Sequence, residues 1–386
     1  MPVLNLLNQS NPKMFLGAPL GIQRYDIIKY PNIKTLTNQQ LYYYWLPENE
    51  ANLTQDSIDF NKLEPKAQHI FTANLKRQIL LDSVQGRAPS LVFLPLVTLP
   101  EVETFINVWT FFEGIHSATY SLIINNLYPD ASTVFDSITD IEEIMGCATD
   151  ITHYYDDLLE YSQYYNLLGL GTHEIKQFSD SHPITKKITV TEYELKKKLW
   201  LTLLSVNILE GLRFYVSFVC SWAFANNMQC MEGNAKLIKL IARDENIHLG
   251  FTQYLIRTLP KDDRIYTTIR RDTETEMLRI VDAAVEQEKQ WAHYLFKDGG
   301  LIGLSEEILV SYIDYIADKR KYTIGLPNKY QMPSGRFRPN PIPWTESWIS
   351  SRSTQVAPQE TEVTAYQVGN LKDDIDLETL SKDFML

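Results

Sequence analysis

In the stretch FFEGIHSATY, residues 111–120, Glu113, His116 and Tyr120 fall at i, i+3 and i+7, which on a helix is one stripe. A carboxylate and an imidazole sharing a helix face can ligate a metal. Tyr120 taken alone is one of 22 tyrosines and reads as ordinary packing. A second Glu-x-x-His pair, Glu245 and His248, lies in the strongly periodic run LIKLIARDENIHLGF. Asp150 and His153 repeat the spacing with aspartate, but in a polar, tyrosine-rich setting that reads as a solvated face.

Two Glu-x-x-His pairs on helices, plus one carboxylate from each of two further helices, form the donor set of dinuclear sites in four-helix bundles. Two lone carboxylates on apolar stripes complete that set. Asp82 follows Leu75 and Ile79 by seven and three residues, and Glu210 interrupts a nearly continuous apolar run. Electrostatics favours a metal over a bare core. Four ionised carboxylates carry −4, which is prohibitive to bury unpaired, and two divalent cations cancel it. Carboxylate and imidazole donors suit iron or manganese, and no cysteine accompanies them. Phe214 and Phe218 continue from Glu210 in steps of four, and Ile241 precedes Glu245 by four, giving an apolar wall for such a site. On the residues alone, a di-iron hydroxylase or desaturase and an iron-storage protein remain open.

These residues need helices to position them. Periodicity predicts helices over about 63–85, 100–127, 136–165, 190–225, 230–258 and 270–296, with a shorter one near 304–322. Gly86 with Pro89, Pro129 and Pro260 serve as stop signals. The first 30 residues look irregular, a short aromatic-rich segment spans Thr37–Pro47, and no run alternates with a period of two. The fold class expected is all-α, a ferritin-like helical bundle with a di-metal site in its core. A proline-rich texture sets in after Leu326, and the chain past about 350 lacks a periodic apolar face. The expected division is a di-iron domain over 1–345 and a flexible tail over 346–386.

The segment Leu199–Ala225 is long and apolar enough to cross a bilayer, but Glu210 and Arg213 sit in its middle, where charge is costly in lipid. It reads instead as a buried core helix. The charge balance of 36 − 48 = −12 argues against nucleic-acid binding and against an anionic membrane surface. Three scattered cysteines, Cys147, Cys220 and Cys230, do not make a disulfide framework, and the N-terminus lacks a signal-peptide pattern. A cytoplasmic location is expected. No Gly-rich phosphate loop is present.

The stretches LLDSVQGRAP (80–89), WTFFEGIHSATY (109–120), LEGLRFYVSF (209–218), EGNAKLIKLIARDENIH (232–248) and VAPQETEV (356–363) together resemble the small, radical-generating subunit of class I ribonucleotide reductase, of the aerobic bacterial and T-even-phage type. The resemblance implies a homodimer with two Fe ions per chain, an oxo-bridged diferric centre when active, with manganese as the alternative metal. Asp82, Glu113 and His116 would bind one ion and Glu210, Glu245 and His248 the other, with at least one bridging carboxylate. Tyr120 would be the radical tyrosine, and Phe214, Phe218 and Ile241 its pocket. Trp45, Asp244 and Tyr366 would transfer the radical. The C-terminal LETLSKDFML would dock on the large catalytic subunit, where ribonucleotides become deoxyribonucleotides. Assembly would need O2 and an electron donor. Phe112 and Gly114 depart from the small polar residues of the best-known bacterial relatives, beside a ligand.

Overall fold

A computed structural model describes residues 12–18, 21–178, 183–327 and 338–349. Helix starts are set by local chemistry. Proline occupies the first turn of α1 (Pro31–Tyr42), α2 (Pro47–Glu50), α4 (Pro65–Gln85), α5 (Ala88–Val92) and α6 (Pro100–Leu127), where its missing N–H costs nothing. Between them, α3 spans Thr54–Phe60. After α7 (Ser132–Asp136) and α8 (Glu142–Leu168), Gly169 at φ 73° ends the helix in a backbone region that favours glycine. The Thr191 hydroxyl accepts from the Glu194 N–H and caps α9 (Glu192–Ile208). A π-helical segment, Leu209–Arg213, joins α9 to α10 (Phe214–Met228). Then follow α11 (Glu232–Asp262), α12 (Ile265–Leu295), α13 (Glu306–Thr323) and the short α14 (Thr345–Ile349).

Four inner elements close into a bundle: α4 packs on α6 and α10, and α11 packs on the same two. The most apolar stretch of α9, the π segment and α10 is fully buried. Around this core, α8 and α12 cover α9, α13 covers the π segment, and α1 lies on α6 and α11.

The structure corrects several expectations. Residues 171–190 form an antiparallel hairpin, β1 (Gly171–Phe178) with β2 (Pro183–Val190), in the register Gly171↔Val190. Among its described side chains only Ile188 and Val190 are buried, so alternation is confined to two positions. Pro260 does not stop its helix: it sits in the last turn of α11, which runs on to Asp262. The 190–225 run is broken by the π segment, α8 begins at Glu142 rather than near 136, and α1 replaces most of the expected aromatic segment. The predicted tail boundary at 346 falls inside α14, and the residues after Ile349, Tyr366 and LETLSKDFML included, lie outside those described.

Candidate metal centre

Three of the inner helices and the π segment that precedes α10 deliver donors to one point. The last turns of α4 bring Asp82, the middle of α6 brings Glu113 and His116, the π segment brings Glu210, and α11 brings Glu245 and His248. All six are fully buried. They form two overlapping groups, Asp82–Glu113–His116–Glu245 and Glu113–Glu210–Glu245–His248, each with donor atoms within 4.8 Å of one another. Glu113 and Glu245 belong to both groups. His116 Nδ1 lies 3.2 Å from Glu113 and 3.1 Å from Glu245, and His248 Nδ1 lies 3.1 Å from each of the same two carboxylates.

The electrostatics show what this arrangement lacks. Burial and then the Glu113 charge hold Asp82 well above the usual carboxylate range, and burial with the Glu245 charge does the same to Glu210. Burial would depress the imidazoles. Hydrogen bonds to Asp244 and Glu113 nevertheless hold His116 up, and the Glu245 charge lifts His248 to about 9. Among the described residues, neither Asp82 oxygen nor Glu210 Oε2 makes a hydrogen bond of ordinary geometry. Buried carboxylate oxygens left unpaired are costly unless a cation takes them. The donor set is all oxygen and imidazole nitrogen, so it fits a di-metal centre of hard or borderline cations.

Gly211 is closely packed. A Cβ there would meet Arg320 Nε at 2.8 Å and Leu249 Cδ1 at 2.8 Å. Arg320 reaches in from α13 and donates to the Gly211 carbonyl at 2.7 Å, pinning the π segment that carries Glu210. π turns of this kind are frequent at functional sites.

Tyr120, seven residues beyond Glu113, is fully buried. Its hydroxyl makes no hydrogen bond of ordinary geometry. Burial and the Asp82 charge push it well above the ordinary phenol range. Phe214 and Phe218 are fully buried and stacked at 5.8 Å, and Ile241 is buried one turn before Glu245. Glu210 sits in the π segment, so its four-residue step to Phe214 is not a regular α-helical one. Phe112 is buried, whereas Gly114 is exposed, and a Cβ added to it would meet no atom within 4 Å. Gly114 therefore does not line the centre.

A polar chain leads outward. His116 Nε2 lies 3.3 Å from Asp244 Oδ2, which also accepts from the Trp45 indole at 2.7 Å. Arg243 fastens this corner, donating to the Tyr43 carbonyl at 2.7 Å with its guanidinium 4.3 Å from the Tyr43 ring centroid. Sequence reasoning missed Arg243, Trp109, Gln85, Tyr155 and Arg320. Trp109 donates to Glu113 Oε1 at 2.7 Å from four residues earlier, a helical spacing that was available to find it.

The sequence profile described as "Ribonucleotide reductase, small chain" matches residues 24–341. The chain belongs to this family. It is 47% identical to the ribonucleoside-diphosphate reductase subunit beta of Haemophilus influenzae over 374 residues, 96% of each chain. It is 45% identical to the ribonucleoside-diphosphate reductase 1 subunit beta of Escherichia coli O157:H7, covering 97% of this chain and 96% of that one. The subunit beta of phage T4 is 41% identical, over 96% and 95% of the two chains. Solved structures share the fold: a ribonucleotide reductase R2 subunit from Clostridium botulinum superposes with a TM-score of 0.74 at 22% identity, over 91% of this chain and 98% of that one. A dimanganese(II) protein from Streptococcus sanguinis does so at 0.63 and 20%, over 86% and 100%. The bundle is therefore the ferritin-like one expected, and the chain is a ribonucleoside-diphosphate reductase small subunit, the partner of a large subunit in making deoxyribonucleotides.

Proposed function

We propose that this subunit holds two iron ions and stores an oxidising equivalent on Tyr120 for its large-subunit partner. The observation that carries the reading is the pair of overlapping donor groups within 4.8 Å. Asp82, Glu113 and His116 hold one ion, Glu210, Glu245 and His248 the other, and Glu113 and Glu245 reach both. When bound, the ions supply O2 reduction, with electrons from a donor, and hence one-electron oxidising power.

The remaining work belongs to the protein. The buried Tyr120 phenol resists ionisation, so electron and proton leave together and a neutral radical remains without a buried charge. Phe214, Phe218 and Ile241 keep water and reductants away. Asp244 holds the His116 ring and joins it to Trp45, and Trp45 passes the equivalent toward Tyr366 in the tail, whose last residues dock on the large subunit.

A homodimer is supported by an apolar surface. Phe111 is 55% exposed and stacks on Tyr44 at 6.2 Å, with Leu41, Tyr42 and Leu46 exposed nearby in the chain. A reducing, cytoplasmic setting suits the free Cys147, Cys220 and Cys230. Manganese is the competing occupant, since the donors suit either metal.

The test adds Fe(II) and O2 to the metal-free subunit and records the EPR and optical spectra of a phenoxyl radical. Tyr120→Phe should abolish both signals while iron uptake persists. An unchanged signal in that variant would show the radical to be elsewhere. Metal analysis of subunit from its native host should find iron, at two per chain.

A further inference from the structure

Glu210 is gripped from outside the donor set. Gln85, three residues after Asp82 on α4, donates its side-chain amide to Glu210 Oε1. The Tyr155 hydroxyl, on α8, donates to Gln85 Oε1 at 2.6 Å. Gln85 and Tyr155 are both buried. An ionised carboxylate accepts but does not donate, so once a cation holds Glu210 ionised the amide N–H side must face it, and the amide oxygen is then turned to a group that can only be a donor. The phenol meets that demand. Burial and the charges of Glu210 and Glu113 push Tyr155 well above the ordinary phenol range, so its proton stays on oxygen. Glu210 is thereby left with one oxygen occupied by the amide and the other, Oε2, without a hydrogen bond of ordinary geometry among the described residues.

We infer that Gln85 and Tyr155 are positioning residues: together they fix which oxygen of Glu210 is free and so prepare the Glu210 side of the centre for its ion. The inference rests on the reading of the cluster as a two-metal site. Tyr155 matters only through Gln85. Without the phenol, the amide can turn and present its oxygen to the carboxylate, which repels rather than holds it. Outer partners of this kind typically tune metal affinity by about 10- to 100-fold.

The experiment titrates the metal-free subunit with Mn(II), a redox-silent probe here, and follows free Mn(II) by EPR. Wild-type, Gln85→Leu, Tyr155→Phe and the double variant are compared, and the melting temperature of each metal-free chain is recorded. The expected result is two Mn(II) per wild-type chain. In Gln85→Leu, one of the two should bind about 10- to 100-fold more weakly while the other is unchanged. Tyr155→Phe should weaken the same ion, and the double variant should be no worse than Gln85→Leu alone, because both act through one contact. Wild-type affinity at both positions in the single variants would overturn the inference. So would additive losses, or loss of both ions in step with a lowered melting temperature of the metal-free chain, which marks a purely structural role. A wild-type chain that took up no Mn(II) would remove the two-metal reading itself, and this inference with it.

Discussion

The Trp45 indole and the Asp244 carboxylate are joined by a 2.7 Å hydrogen bond across 199 residues of sequence, and the accepting oxygen is the one that faces His116. A single atom thus links the aromatic corner of the N-terminal helices to the metal cluster. Orienting partners of metal-binding imidazoles commonly act through such a contact.

Removing the indole N–H should separate storage of the proposed radical from its delivery. Trp45→Phe should still take up iron and give the Tyr120 radical, while nucleotide reduction with the large subunit falls about 100-fold, at the upper end for outer-sphere partners. Asp244→Ala should also weaken iron binding, since it frees the His116 ring. Paired EPR and turnover measurements decide between the two effects; equal loss of radical and turnover in Trp45→Phe would count against a delivery role.

Gly211→Ala places a methyl 2.8 Å from Arg320 Nε and from Leu249 Cδ1. Overpacking of this kind typically costs about 1–3 kcal/mol. Urea denaturation of the metal-free chain should register that loss, and metal uptake should fall as the π segment shifts. Gly86→Ala, where the nearest atom is a backbone oxygen at 3.2 Å, should be milder.

The exposed ring of Phe111, stacked on Tyr44, offers a direct handle on assembly. Phe111→Glu should shift the sedimentation profile from dimer toward monomer and leave the far-UV spectrum of the helices intact. A dimer of undiminished stability would assign the interface to another face.

Acid stability should depend on Asp263. Burial opposes its ionisation, yet hydrogen bonds from Lys13 and Lys196 bring it from 3.8 down to about 2. A depressed folded-state value means that the stabilisation is present above the unfolded value and is lost as pH falls through the folded one. The window is therefore about pH 4 down to pH 2, and the contribution at neutral pH is on the order of 2 kcal/mol. Asp263→Asn should be less stable than wild type at pH 7, and the gap should close across that window in urea melts of the metal-free chain.

Much of the centre was legible because its halves are local. Glu113 with His116 and Glu245 with His248 are three residues apart on one helix, so sequence spacing is spatial spacing. Asp82 and Glu210 were found by contrast with apolar neighbours that had no other use for a carboxylate. Gln85, Tyr155 and Arg320 were not legible, because their partners lie 70 to 125 residues away and a buried glutamine, tyrosine or arginine carries no local sign of what it will meet. The hairpin escaped for a different reason. Most of its described side chains are exposed, so no core imposed a two-residue rhythm on it. The π segment coincides with the polar interruption LEGLR in the long apolar run, but residue types mark a functional charge there and not a change of helical pitch.

That π segment has a consequence for how the protein tolerates change. On one side of it α9 seats against α8 and α12, and on the other α10 seats against α4 and α11. A π turn holds one residue more than the α turn it replaces, so deleting one residue from Leu209–Arg213 would restore a regular helix and leave α9 and α10 nearly in register. The faces that α9 and α10 present to their neighbours would survive, and what would be lost is the local widening that carries Glu210. At this point in the chain the extra residue serves the donor cluster and not the packing, so a one-residue gap here should spare the fold and displace Glu210.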